Sequence, residues 1–341
     1  MKPNQALISI NDNQSKIKQL LSELVLEPRT NALKWSAITR QTPNIKVGYP
    51  GQHLASLITG MLGERTGARG NDLSDGSEVK SCSRIDQLDV CKDCKSPVAR
   101  AELVCPTCNS KNISRKDDSK WLFSVKSESD LKVLTVEVKR VILIIGDYPN
   151  FEDGDFDTLR FQAFEIWTNS PRCSRFREIM ENYYYKIYLG HKSKDQSKTP
   201  APKNFWPYSY QFYLCNPILT FSCTIKNATT NPVITIDKFT DPKADRSEIE
   251  SEPMPSWVLD DVEFGVLVNS ANKKDLQNSI DIPFDLFSKL PTKKQKEHLT
   301  FINENLRNLL PLRDTDKIST AKKAYSRRTT SQIIFSEKVD L

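Results

Sequence analysis

Four cysteines constrain this chain more than any other feature. They are spaced as Cys91-x2-Cys94, a ten-residue gap, and Cys105-x2-Cys108. In a reducing compartment, paired CxxC knuckles read as one tetrahedral structural zinc site rather than as disulfides. The second knuckle, Cys105-Pro106-Thr107-Cys108-Asn109, carries the small and turn-forming residues that let backbone amides approach the sulfurs. The plainer alternative is two fortuitous redox pairs. Cys82, Cys173, Cys215 and Cys223 are scattered and read as ordinary buried small hydrophobes.

The chain has 341 residues, enough for a full core and about two domains. With 49 basic residues against 43 acidic ones the net charge is +6, which suits a polyanion partner without requiring one. The longest apolar stretch, Val141–Ile145, is strand length, and the N-terminus lacks the apolar core of a signal peptide, so a cytoplasmic protein with no membrane association is expected.

Apolar spacing predicts helices over residues 6–27 and from Gly51 to about Leu62. A strand–turn–strand follows over Asp72–Lys80, and the zinc module occupies about 89–112. Strands are expected at Trp121–Val125, Leu131–Ile145 and Phe161–Trp167, then a helix from Arg172 to Leu189 and a polar linker to about Lys203. Further strands are expected at Tyr208–Cys215, Leu219–Ile225 and Pro232–Ile236, and a late helix from about Thr292 to Leu309. The fold class is mixed α/β, with residues 1–190 as one region carrying the zinc module and 204–341 as a second mixed region for recognition, dimerisation or both.

Asp72-Leu-Ser-Asp75-Gly76-Ser-Glu78-Val-Lys80 concentrates the candidate chemistry. Residues two apart on a strand share a face, so Glu78 and Lys80 emerge together. Asp75-Gly76 suits a tight reversal that folds Asp72 back beside Glu78. Two carboxylates and an amine in one small volume suit a hydrated divalent cation and an attacking water. The plainer reading is a surface hairpin with one solvated acid–lysine pair. Glu64, eight residues before Asp72, could reach the same cluster from the end of the preceding helix. Arg65 and Arg69, set among Gly63, Gly67 and Gly70, suit phosphates or base edges, because glycines allow close backbone approach.

This order of helix, Glu64, Gly-rich turn, Asp72, short hairpin and Glu78-Val-Lys80 resembles the PD-(D/E)xK nuclease superfamily. The longer string Gly67–Ser81 followed by a CxxC pair is similar to type II restriction endonucleases of the MamI type. The name-giving Pro-Asp is absent, which leaves Asp72 and Asp75 as alternatives for the first metal ligand; Asp72 is preferred, because Asp75 is more useful in the turn. The resemblance implies a restriction-endonuclease-like core, a bacterial or archaeal restriction-modification system, and a Mg²⁺-dependent endonuclease on double-stranded DNA. It implies Asp72 and Glu78 as magnesium ligands, Lys80 as the water-positioning base and Glu64 as an auxiliary acid. A homodimer reading a palindromic site would follow from matched two-fold symmetry.

Arg172, Arg175 and Arg177, three arginines near a helix start, are further DNA-contact candidates, as are the amide- and aromatic-bearing stretch Lys203–Gln211, Lys293, Lys294 and Lys296, and the basic tail Lys322–Arg328. Each also reads as a solvated face. A competing function is a non-catalytic nucleic-acid-binding protein built on the zinc ribbon. A metal hydrolase of small phosphorylated substrates lacks histidine ligands, since His53, His191 and His298 are dispersed.

Overall fold

The computed structural model describes residues 1–4, 6–44, 46–65, 71–85, 87–116 and 118–316. The chain forms two compact units, both discontinuous in sequence. The first comprises Met1–Trp121, Glu137–Glu165 and Leu219–Glu248; the second comprises Leu122–Val136, Ile166–Ile218 and the chain from Ile249 onward.

The first unit is built on a mixed five-stranded sheet. Its members are β1 (Ser77–Ser83), β5 (Arg140–Asp147), β6 (Leu159–Ile166), β7 (Ile218–Lys226) and β8 (Val233–Phe239), in the order β1-β5-β6-β7-β8. β1 runs parallel to β5, with Glu78 opposite Val141 and Lys80 opposite Leu143. β8 is antiparallel to β7. The interior strands β5 and β6 are buried at every position; β5 is accordingly apolar throughout Val141–Ile145, whereas β6 buries Arg160, Gln162 and Glu165 between its apolar residues.

Among the described residues three α-helices serve this unit: α1 (Asn13–Leu21), α2 (Glu27–Thr39) and α3 (Gly48–Thr59). Asp12 caps α1 by accepting from the Ser15 amide at 3.0 Å. A wider turn over Ser22–Leu26 joins α1 to α2, whose Pro28 sits where the first helical turn needs no amide donor. α3 ends at Gly60, whose φ of +67° a side chain would resist. Ile17, Leu21, Leu54 and Ile58 from the helices pack with Val79, Ile142, Ile144, Phe161, Phe221 and Ile225 of the sheet in one core. Strand alternation then puts Glu78 and Lys80 on the opposite face of β1 from Val79.

Between β1 and β5 the chain makes a small three-stranded sheet from β2 (Leu88–Cys91), β3 (Pro97–Ala99) and β4 (Ile113–Ser114), in the order β3-β2-β4. This is the cysteine module.

In the second unit, three sequence expectations are corrected. Residues 131–137 are helical rather than extended: Ser127 accepts from the Asp130 amide and starts a helix at Glu128 that continues as a wider turn to Glu137. Tyr210–Leu214 is a short helix, capped by Ser209 accepting from the Phe212 amide, where aromatic content suggested a strand. The late helix is broken. Thr292–His298 ends before a short strand, Phe301–Ile302, that pairs with Met254–Pro255, and Asn303 caps a new turn at Glu304–Arg307. A helix with no expected counterpart, Asp261–Ser270, starts in a reciprocal cap between Asp260 and Glu263.

The core of this unit holds a fully buried arginine. Arg307 donates to the carbonyls of Ile302, Tyr213 and Glu252, to Asn216 Oδ1 and to Ser251 Oγ, between 2.7 and 3.2 Å. Burial pulls its pKa down to about 10.

Candidate active site and metal centre

Asp72 lies at the outer edge of β1. Its amide and that of Leu73 donate to the Ser77 carbonyl at 3.0 and 3.1 Å, closing a tight reversal over Ser74–Gly76 in which Gly76 has φ +80°. The reversal brings Asp72 back onto the strand, as expected from Asp75-Gly76. Asp72 Oδ2 accepts from the Val79 amide at 2.8 Å, and Oδ1 accepts from Gln52 Nε2 on α3 at 3.1 Å. Partial burial raises the Asp72 pKa. The Val79 amide lowers it, the Glu78 charge raises it and Lys80 lowers it. Asp72, Glu78 and Lys80 therefore share one electrostatic neighbourhood. Glu78 is buried, and Lys80 Nζ donates to its Oε1.

Asp75 has a different role. Its Oδ1 accepts from the Ser77 amide and hydroxyl at 3.1 and 2.6 Å, and its Oδ2 from Arg140 Nη2 at 2.8 Å. Arg140 also donates to Glu165 at 3.1 Å, and Arg246 lies 3.4 Å from the same carboxylate. Asp75 is thus held in a buried ion chain under the turn, with Oδ1 and Oδ2 both engaged.

An open cleft of about 800 Å³ borders Asp72. Tyr49, Gln52, His53 and Ser56 of α3 line it, together with Glu64, Arg65, Val79 and Ser81. Glu64 lies beyond the end of α3 rather than on it: its amide donates to the Asp72 carbonyl at 2.9 Å, and its side chain is exposed. Arg65 is exposed at the same rim. Arg69 falls outside the described residues. Glu78 and Lys80 sit across β1 from the cleft, with Asp72 at the edge between them. Sequence reasoning missed Gln52. Its signal was the polar row Tyr49, Gln52, His53, Ser56 at helical spacing, opposite Leu54 and Ile58.

The three arginines of the second unit are engaged within it. Arg172 forms a forked pair with Glu304, Nε at 2.9 Å from each oxygen. Arg175 pairs with Glu178 at 2.7 Å and donates to the Asn308 and Leu310 carbonyls. Arg177, exposed, donates to the Thr135 carbonyl at 3.1 Å.

The four cysteines converge. The sulfurs of Cys91, Cys94, Cys105 and Cys108 all lie within 4.8 Å of one another, with Cys91–Cys108 at 3.7 Å and Cys94–Cys105 at 3.5 Å. A Zn–S bond of about 2.3 Å implies tetrahedral S···S edges of about 3.8 Å, so the set fits zinc. Each knuckle turns through a left-handed residue: Lys95 (φ 63°) donates its amide to Cys91, and Asn109 (φ 57°) to Cys105. The Ser96 hydroxyl, followed by its amide, brings the Cys94 thiol down to about 6. Below the knuckles, Asp89 is fully buried and takes both Arg100 Nε and Nη2, at 2.6 and 2.9 Å, plus Arg115 Nη1 at 3.0 Å. Arg100 in turn lies over the Phe151 ring at 5.0 Å, fastening the module to the β5–β6 connection.

The MamI restriction endonuclease family model matches residues 34–257, and the chain belongs to that family. Type II restriction enzyme MamI of Microbacterium ammoniaphilum is 41% identical over 56 residues, 16% of this chain and 18% of that enzyme. The chain therefore spans under a fifth of the length of this curated relative. No solved structure matches the chain.

Proposed function

We propose that the chain is a Mg²⁺-dependent type II restriction endonuclease that hydrolyses double-stranded DNA at a specific palindromic site as a homodimer. The observation that carries this reading is Asp72, folded back onto the edge of β1 into the electrostatic reach of Glu78 and Lys80. The Glu78 charge adds to the cost of ionising Asp72, and a hard cation with oxygen ligands relieves that cost. Asp72 and Glu78 would hold Mg²⁺, which when bound supplies charge neutralisation at the phosphate and a more acidic water.

The residues of the chain do the rest. Lys80 orients the attacking water and faces the negative charge that builds on the phosphate oxygens. Water oxygen bonds to phosphorus, the bond to the 3′ oxygen breaks, and the products are a 5′ phosphate and a 3′ hydroxyl. Glu64, exposed on the cleft rim, is the auxiliary acid, and Arg65 is placed to meet a phosphate. The family relationship and the position of Asp72 at the edge of β1, within electrostatic reach of Glu78 and Lys80, support this assignment. Arg69, Arg172, Arg175 and Arg177 remain candidate backbone contacts, with Arg172 and Arg175 acting first as braces of the second unit.

The test is plasmid and phage DNA incubated in Mg²⁺ and in EDTA. Discrete bands only in Mg²⁺ are expected, and Lys80→Ala is expected to bind DNA without cutting it. Intact DNA across varied and methylated substrates, or a Lys80→Ala protein indistinguishable from wild type, favours the non-catalytic zinc-ribbon reading instead.

A further inference from the structure

α3 crosses β1 with almost no gap. A Cβ on Gly51 would stand 2.0 Å from Ser81 Oγ and 2.9 Å from Ser81 Cβ, so helix and strand are locked in register at this point. The next residue, Gln52, reaches Asp72 Oδ1 at 3.1 Å, while the Val79 amide holds Oδ2 at 2.8 Å. One donor from the helix and one from the strand thus clamp the carboxylate, and each oxygen keeps further acceptor capacity. Gln52 lines the open cleft, so this clamp lies beside the space a ligand would enter. A neutral amide can orient a carboxylate without contributing a charge that competes with a cation. A lysine at this position would neutralise the group it orients.

We propose that Gln52 is a positioning residue for the cation site, fixing the rotation of the Asp72 carboxylate. The inference rests on the reading of Asp72 as a metal ligand. Hydrogen-bond partners of ligating groups characteristically change metal affinity by about 10–100-fold when removed. Gln52 acts through Asp72 and touches no reacting atom.

Gln52→Met keeps the length and packing of the side chain and removes the donor. Three readouts on the full chain separate the possibilities: Mn²⁺ binding by titration calorimetry, thermal stability, and cleavage rate against Mg²⁺ concentration. Asp72→Asn serves as reference. The expected result is loss of Mn²⁺ binding in Asp72→Asn, and roughly tenfold weaker binding in Gln52→Met at unchanged melting temperature. Excess Mg²⁺ should then restore the Gln52→Met cleavage rate. Wild-type Mn²⁺ affinity in Gln52→Met beside a deficient Asp72→Asn overturns the inference and leaves the metal-ligand reading standing. Weakened binding that only accompanies a fall in melting temperature also overturns it, since packing then explains the effect. Undiminished Mn²⁺ binding in Asp72→Asn removes the metal-ligand reading itself.

Discussion

Asp75 and Arg140 meet in a buried ion pair, Oδ2 to Nη2 at 2.8 Å, directly beneath the turn that carries Asp72 towards Glu78. Arg140 also bonds Ser77 Oγ at 2.8 Å and Glu165 at 3.1 Å, so one guanidinium ties the turn to two strands of the sheet. Removing one partner from such a group leaves an uncompensated buried charge, which costs about 3–5 kcal/mol. Glu165→Gln should therefore lower stability by about that amount in a urea melt. A change below about 1 kcal/mol would show that the chain is not continuous in solution.

The Gly51–Ser81 contact makes a paired prediction. Gly51→Ala puts a methyl group 2.0 Å from Ser81 Oγ, and overpacking of this kind costs about 1–3 kcal/mol. Adding Ser81→Ala removes the blocking oxygen, so the double variant should recover most of the loss. A double-mutant cycle with no coupling energy would contradict the close crossing.

Asp72 makes a prediction about pH. Burial raises its pKa in the folded protein above the ordinary 3.8, so the folded state holds its proton to higher pH than the unfolded state does. The contribution to stability then falls as pH rises from the ordinary carboxylate value through the raised one. Asp72→Asn, which carries no charge, should melt higher than wild type at neutral pH in EDTA. The advantage should vanish in acid. A variant that melts lower than wild type at neutral pH would contradict this sign.

For the cysteine module, elemental analysis should find about one zinc per chain. Cys105→Ser should lower the metal content and the melting temperature together, because metal binding and folding of so small a sheet are linked. A zinc-free protein with the wild-type melting temperature would show that the Asp89–Arg100–Arg115 cluster holds the module unaided.

Much of the first unit was legible because its signals are local. The cysteine spacing specifies a module by chemistry that needs no context, and Asp75-Gly76 specifies a reversal by backbone preference alone. β-branched runs marked β5 and β7. What could not be read was set by helix capping and by tertiary contacts. Residues 133–136 are β-branched and apolar, yet a Ser127 cap four residues upstream of Leu131 commits them to a helix. Tyr210–Leu214 is rich in aromatics but is wholly buried around Ser209. Nothing in the sequence marks Arg140, Arg246 and Arg307 as buried, and only the folded chain supplies the carboxylates and carbonyls that let them be so. The polar row on α3 marks a face that includes Gln52, but only the folded chain supplies the 3.1 Å contact with Asp72 that gives the residue its role.

β1 is the outermost strand of its sheet among the described residues, and an outermost strand offers a row of unpaired amides on which another chain can template. The Val79 amide is taken by the Asp72 carboxylate, and Glu78 and Lys80 add charge along the same strand. A carboxylate that occupies an edge amide and charge along the strand are both features that disfavour edge-to-edge pairing. Replacing Asp72 and Glu78 with apolar residues of similar size would therefore make the chain aggregation-prone, whereas asparagine and glutamine, which still hydrogen-bond, would leave it dispersed, a difference that light scattering reads.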